Sequence, residues 1–323
     1  MRYRTFGRTG WSIAEIGYGM WGMGDWTGSD DDESMVSLQK AVDLGVNFFD
    51  TAWAYGQGHS ERLLGRLIRA NRGRKLYAAS KIPPENLKWP ALATHTLEET
   101  YSPSHIRAYT EKSLTNLGIE AIDLMQFHVW HDNWARDERW QLETQRLKNE
   151  GLVRTWGISI NRWEPANAIE TLKTGLIDAV QVIYNIFDQN PEDQLFPVCR
   201  ELNIAVIARV PFDEGSLTGT LTKNSRWPEG DWRNRYFTLE NLVPSLERVD
   251  ALRETVPKGM TLPELALRFI LQNPTVTTTI PGMRKPRHVL ANTSVSDGKP
   301  LPADVIAELR RHRWDRKPAP WSD

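Results

Sequence analysis

Three ionisable residues stand directly after three short apolar runs: Asp50 after Asn47-Phe48-Phe49, Lys81 after Leu76 to Ser80, and His128 after Leu124 to Phe127. Each run has the length of a β-strand, so each ionisable group marks a strand end. Neighbouring strands lie about 4.8 Å apart, which lets residues at successive ends converge on one patch. Tyr55 follows Asp50 by five residues, close enough for the loop to fold its phenol over that patch. The chemistry open to such a set is proton exchange with an oxygen. A tyrosine in a free peptide titrates near about 10, and an adjacent ammonium favours the phenolate, so Lys81 is expected to make Tyr55 a better acid. Asp50 would keep Lys81 charged and fixed, and His128 would donate a hydrogen bond to an oxygen gathering negative charge. Taken singly, each residue has a commoner reading as a turn cap, a packed rim residue or a core imidazole. Their register at successive strand ends is what argues for a site, one that reduces a carbonyl and lacks only a hydride.

The elements that must position these groups recur along the whole chain. Eight strand candidates are Glu15 to Gly19, Asn47 to Phe49, Leu76 to Ala79, Leu124 to Phe127, Thr155 to Ile158, Ala179 to Val182, Ala205 to Ala208 and Val276 to Ile280. Between them lie amphipathic helical patterns at Ser34 to Leu44, Glu61 to Ile68, Ile106 to Leu117, Trp140 to Asn149, Pro165 to Thr174, Leu195 to Leu202 and Leu262 to Leu271. Gly45, Gly118, Gly151 and Gly175 follow helices as left-handed caps, and Pro165 and Pro263 sit near helix starts. Strict alternation without a Gly/Ser/Pro linker predicts an α/β fold: a single-domain (β/α)8 barrel over residues 1–323. Tyr3 to Gly10 reads as a small hairpin plugging the bottom. Two intervals, 82–104 after strand three and 210–261 after strand seven, are too long for simple connections and read as walls over a pocket at the strand C-termini.

Composition narrows the partner. The 323 residues carry 40 Lys+Arg against 41 Asp+Glu, a net charge of −1, which argues against a nucleic-acid surface or a polybasic membrane contact. The single Cys199 closes no internal disulfide, no secretion-signal core opens the chain, and no apolar run approaches a membrane span. A cytoplasmic location and a small-molecule partner are expected; oligomeric state is left open.

The tetrad and its surroundings resemble the aldo-keto reductase superfamily across nearly the whole chain. The matching segments are Phe6-Gly7-Arg8-Thr9-Gly10, Gly45 to Ala52 with Tyr55-Gly56, Gly157-Ile158-Ser159, Val180-Gln181-Val182 with Tyr184-Asn185, Leu217-Thr218-Gly219 and Ile280-Pro281-Gly282-Met283-Arg284. The resemblance implies a barrel binding NADP(H), or NAD(H), that passes a hydride between nicotinamide and a carbonyl or alcohol substrate, with Tyr55 as acid or base beside Asp50, Lys81 and His128. It further implies Ser159, Asn161 and Gln181 at the nicotinamide carboxamide, Leu217 and Gly219 along the pyrophosphate, and Gly282, Arg284, His288 and Asn292 toward the adenosine end. The chain departs from the family pattern in four places. The Asn usual after Ser159 is displaced by Ile160 to Asn161, Arg209 replaces the aromatic that stacks on the nicotinamide, Ala291 replaces a Glu, and His288 stands where relatives carry Arg or Gln. Preference for the 2′-phosphate of NADP(H) therefore falls mainly on Arg284, since a guanidinium forks onto phosphate.

Fourteen tryptophans include eight in expected rim loops: Trp21, Trp26, Trp53, Trp89, Trp130, Trp134, Trp227 and Trp232. Trp21, Trp53 and Trp130 are the candidates for substrate contact. The basic tail from Arg310 to Trp314 reads as a solvated helix end or as a pocket cover. Other motifs lead elsewhere. Gly17-Tyr18-Gly19-Met20-Trp21-Gly22 fits a dinucleotide-binding G-x-G-x-x-G, but no helix opens there. Tyr77 and Lys81 have the spacing of a Tyr-x-x-x-Lys helix motif, yet on a strand they lie about 13 Å apart. His128 and His131 lack a third metal ligand, so no metal is expected. A Schiff base on Lys81, a sugar dehydrogenase on the same site, and a cofactor-binding regulatory subunit resembling potassium-channel β subunits are the competing classes.

Overall fold

A computed structural model describes residues 1–24, 26–316 and 318. The chain opens with an antiparallel hairpin, β1 (Tyr3–Thr5) and β2 (Ser12–Ala14). Eight parallel strands follow in sequence order: β3 (Tyr18–Gly19), β4 (Phe48–Asp50), β5 (Tyr77–Ile82), β6 (Ile122–Phe127), β7 (Val153–Ser159), β8 (Ala179–Ile183), β9 (Ala205–Arg209) and β10 (Val276–Thr279). Bridges Ile16 to Thr279 and Gly19 to Gly282 bring β3 back to β10, so the sheet closes as a (β/α)8 barrel. Gly19 is required at that seam, because a Cβ there would stand 2.5 Å from the Ile280 carbonyl oxygen. Barrel closure thus accounts for a glycine that had imitated a nucleotide motif.

Side chains alternate in and out along a strand, so every second residue faces the barrel interior. Phe48, Tyr77, Ala79, Leu124, Ala179, Ala205 and Ile207 fill that interior as one apolar cluster. The hairpin closes its bottom: Phe6 packs on Phe48 at 5.6 Å and Trp11 on Tyr77 at 5.0 Å between ring centroids. Two residues further along each strand come Asp50, Lys81, Gln126, Gln181 and Arg209. The interior therefore ends, at the strand C-termini, in a layer of polar groups standing on an apolar floor.

Helices cover the outside, starting and stopping where local chemistry dictates. Asp30, Ser102 and Thr261 accept from the backbone N–H groups of Glu33, His105 and Glu264, capping Asp31–Asp43, Pro103–Leu117 and Leu262–Gln272. Gly45, Gly118, Gly151 and Gly175 all have positive φ after their helices. Pro165 does not start a helix; it lies in a turn before a shorter one, Ile169–Lys173. The interval after β9 folds into a tight turn, Asp213–Thr218, and two helices, Arg233–Tyr236 and Leu239–Arg253. The second of these contains Pro244 and went unread in the sequence. Among the described residues no helix is long and apolar enough to cross a membrane.

Candidate active site

Lys81 is fully buried, and its three N–H donors have three acceptors: Asp50 Oδ1 at 2.5 Å, the Thr51 carbonyl at 2.8 Å and Tyr55 Oη at 3.2 Å. An ammonium has no acceptor to offer, so the Tyr55 oxygen receives this bond and the phenol proton is left to point elsewhere. The second oxygen of Asp50 accepts from Gln181 Nε2 at 2.8 Å and Gln126 Nε2 at 3.1 Å. A buried ion pair is sound only when its remaining lone pairs are satisfied, and the two amides do this. Gln126 escaped the sequence reading. The signal for it is the period of two: Leu124, Gln126 and His128 occupy successive inward positions.

Tyr55 is held by shape as well. A Cβ on Gly24 would stand 2.7 to 2.8 Å from Tyr55 backbone and Cβ atoms, so only glycine lets the loop after β3 pack on it. The His128 ring meets Tyr55 edge-on at 5.6 Å and Trp89 at 4.5 Å, and its buried Nδ1 has no hydrogen-bond partner among the described residues. The electrostatics correct one expectation. Burial pushes the Tyr55 phenol above its ordinary value, and the Lys81 ammonium only offsets part of that rise. Burial also works against the Lys81 charge, but Asp50 and Tyr55 outweigh it and hold the ammonium above its usual range. His128 is driven well below its usual value, by burial first and then by Lys81 and Arg209. The resting site thus holds a protonated tyrosine, a charged lysine and a neutral imidazole.

Tyr55 and His128, with Lys81 behind them, form one wall of a cavity of 390 Å³, lined also by Trp21, Trp89, Trp130, Ser159, Asn161, Arg162, Trp163, Gln181, Arg209, Glu214, Trp232 and Tyr236. Trp21 lies 6.4 Å from the Tyr55 ring and 5.0 Å from Trp232. Trp130 is 1% exposed and packed on Phe127 and Trp140. Trp53 does not line the cavity. It packs on Tyr109 and under Lys112 against the helix Pro103–Leu117, because the turn after β4 directs Tyr55 inward and Trp53 outward. A wider depression lined by Arg4, Glu15 and Arg268 lies beside β1 and the start of β10, remote from the tetrad. Arg4 there donates to Glu15 and to the carbonyls of Leu271, Asn273 and Val276, and Arg268 to Glu264 and Asp297.

The remaining candidates lie in an arc from this cavity to the start of the helix Pro286–Ser294. Ser159 is buried at the end of β7. Asn161 spends its amide locally, donating to Glu164 and accepting from the Glu164 backbone N–H. Gln181 has its nitrogen on Asp50, which leaves its oxygen for any further partner. Arg209 donates to the Ile160 carbonyl at 3.0 Å and keeps a buried Nε without a partner among the described residues. The Leu217 side chain is fully buried, so only its backbone can face a ligand, beside Gly219 at φ 70°. Gly282 forms the barrel seam, and Asn292 is buried on the last helix but one. His288 touches Arg287 at 3.4 Å. Arg284 stands over Trp26 at 5.8 Å with a buried Nη1 that has no partner among the described residues. Buried, unpaired guanidinium N–H groups at both ends of the arc, with Lys285 and Arg287 at a helix N-terminus, suit an extended ligand carrying phosphates.

The Aldo/keto reductase family profile matches residues 15–313. The uncharacterized oxidoreductase YqkF of Bacillus subtilis is 29% identical over 314 residues, covering 97% of this chain and 96% of that protein. An NADH-specific methylglyoxal reductase of Escherichia coli is 26% identical over 310 residues, covering 91% and 93%. Among solved structures, the glycerol dehydrogenase AKR11B4 of Gluconobacter oxydans superposes with a TM-score of 0.76 at 25% identity, covering 96% of this chain and 95% of that one.

Proposed function

This chain belongs to the Aldo/keto reductase family of oxidoreductases, and we propose that it interconverts an aldehyde or ketone with its alcohol at Tyr55, using NADP(H) or NAD(H). The carrying observation is the Tyr55–Lys81–Asp50 chain opening into the cavity. The dinucleotide supplies or accepts the hydride. Ser159, the oxygen of Gln181 and the Asn161 turn would hold the nicotinamide end, Leu217 and Gly219 would offer backbone along the diphosphate, and Arg284 would take the 2′-phosphate, with Gly282, His288 and Asn292 toward the adenosine.

The chain's own residues handle the proton. Lys81 occupies one side of the Tyr55 oxygen, so the phenol O–H is free to donate to a carbonyl oxygen in the cavity. His128, held neutral, can donate a second hydrogen bond to the same oxygen without adding charge. As Tyr55 gives up its proton, the Lys81 N–H bond already in place receives the phenolate charge. In the alcohol-oxidising direction the same phenolate takes the proton back. Trp21, Trp89 and Trp130 exclude water from this exchange.

The electrostatics fix a pH profile. Reduction needs Tyr55 protonated and Lys81 charged, and both are held above their ordinary values. Carbonyl reduction should therefore stay level through neutral pH and fall only above about 10; alcohol oxidation, which needs the phenolate, should rise with pH throughout. A reduction rate that falls between pH 6 and 8 would contradict this assignment.

The glycerol dehydrogenase likeness favours testing the oxidative direction too. Consumption of NADPH and NADH should be followed with methylglyoxal and a series of aromatic and aliphatic aldehydes, and reduction of NADP+ with glycerol and aldoses. Turnover in either direction supports the reading, and a cofactor that binds without any turnover turns it toward a regulatory subunit. For Arg284→Ala, NADPH affinity should fall ~10-fold or more, the scale of a lost charge-assisted fork, with NADH affinity nearly unchanged. Equal losses for the two would remove Arg284 from the 2′-phosphate.

A further inference from the structure

A cluster of buried charges beside the cavity takes no part in the proton chemistry. Arg162, in the loop after β7, donates to Tyr236 Oη at 2.6 Å and lies 3.4 Å from both Asp188, after β8, and Asp213, after β9. Arg316, beyond the last helix Ala303–Arg311, reaches the same groups from the other side. Its Nη2 bonds Asp213 and lies 3.6 Å from Asp188, and its Nη1 donates to Tyr236 at 3.2 Å. The four charged side chains are between 1% and 7% exposed, so two guanidiniums balance two carboxylates out of water.

The tail is led to this place by a series of contacts. Arg310 pairs with Glu192 at 3.0 Å, Arg313 forks onto Asp193 at 2.8 and 2.6 Å, and the Trp314 backbone N–H donates to Phe187. Arg316 then stacks on the Trp314 ring at 4.2 Å. Asp213, where the strap ends, also accepts from Ser216 at 2.7 Å and so anchors the turn Asp213–Thr218 from within. In and just before that turn three non-glycine residues have positive φ: Val210 at 55°, Asp213 at 47° and Glu214 at 55°. Backbone of this kind persists only where surrounding contacts over-determine it.

We propose that Arg316 is a positioning residue, through which the C-terminal segment straps the turn Asp213–Gly219 into its cofactor-binding shape and sets how long NADP(H) stays bound. This rests on the reading of Leu217 and Gly219 as the diphosphate cradle. Without Arg316, two buried carboxylates face one guanidinium; they must separate or take up water, and the strained turn is the element able to move.

The test is displacement of bound NADPH by excess NADP+ in stopped flow, read by nicotinamide fluorescence. Arg316→Met should raise the dissociation rate at least tenfold, and Arg316→Lys should recover part of the loss. Single-turnover oxidation of prebound NADPH should move less than twofold, which separates release from chemistry. Should Arg316→Met fail to fold, Asp213→Asn weakens the same tie without stranding a carboxylate and should raise the dissociation rate in the same direction. Wild-type release in a folded variant overturns the strap, as does a loss confined to the single turnover. If the wild-type protein binds no NADPH, the proposed function falls as well; if it binds and the variants release it normally, only the strap falls.

Discussion

Tyr55→Phe should lower turnover in both directions by ~10²–10⁴-fold, the range a positioned proton donor supplies. The substitution removes one oxygen that receives a hydrogen bond from Lys81 at 3.2 Å and faces the cavity. No residue stands ready to replace it. His128 is neutral and driven away from protonation, and Lys81 is committed to Asp50 and the Thr51 carbonyl. The ring itself remains, so its packing against Gly24 and the His128 edge is kept. Affinity for NADPH, measured by quenching of tryptophan fluorescence, should change by less than about threefold, a difference well under 1 kcal/mol. Turnover at the wild-type rate in this variant would remove Tyr55 from the proton path.

Lys81→Met should cost stability and turnover together. Cutting one member of a buried ion pair leaves the other charge without compensation, at about 3–5 kcal/mol. Here the stranded group is Asp50, enclosed at the top of the barrel with only the Gln126 and Gln181 amides beside it. Thermal unfolding should therefore move down markedly. Asp50→Asn in the same chain should restore part of the stability, because the pair is then removed rather than broken. Turnover should not return in that double variant, since the phenolate left after proton donation has lost its ammonium. Unfolding unchanged by Lys81→Met would show that Asp50 and Lys81 are not energetically coupled.

Much of the site was legible because a barrel converts strand order into spatial order. Asp50, Lys81 and His128 stand at consecutive strand ends, and a closed parallel sheet brings such ends together whatever the loops do. The position of Tyr55 followed from the shortness of its loop. Sequence periodicity also located most of the barrel's outer helices, whose caps are local chemistry, but not Leu239–Arg253 after β9. Three kinds of fact were out of reach. Burial at one atom depends on every loop above it, so the balance at Tyr55 between desolvation and the Lys81 charge came out opposite to the expectation. The direction of a side chain within a turn is settled by packing, and Trp53 turned toward Tyr109 while Trp89, from a loop distant in sequence, came to face His128. Long-range ion pairs leave no periodic trace: Arg310 and Arg313 of the basic tail, solvated as a helix end is expected to be, also pair with Glu192 and Asp193, and Gln126 became visible only once the inward register was fixed.

Deuterium transfer reports whether hydride passes from the dinucleotide to a carbonyl carbon while Tyr55 supplies the proton. NADPH deuterated at the transferring position of C4 is incubated with the protein and a reactive aldehyde, and the alcohol is weighed by mass spectrometry. The expected alcohol carries one deuterium in place of hydrogen on the former carbonyl carbon, formed by the wild-type protein and at the strongly reduced rate given above by Tyr55→Phe. Alcohol formed without deuterium, or equally well by Tyr55→Phe, would contradict the proposed reaction.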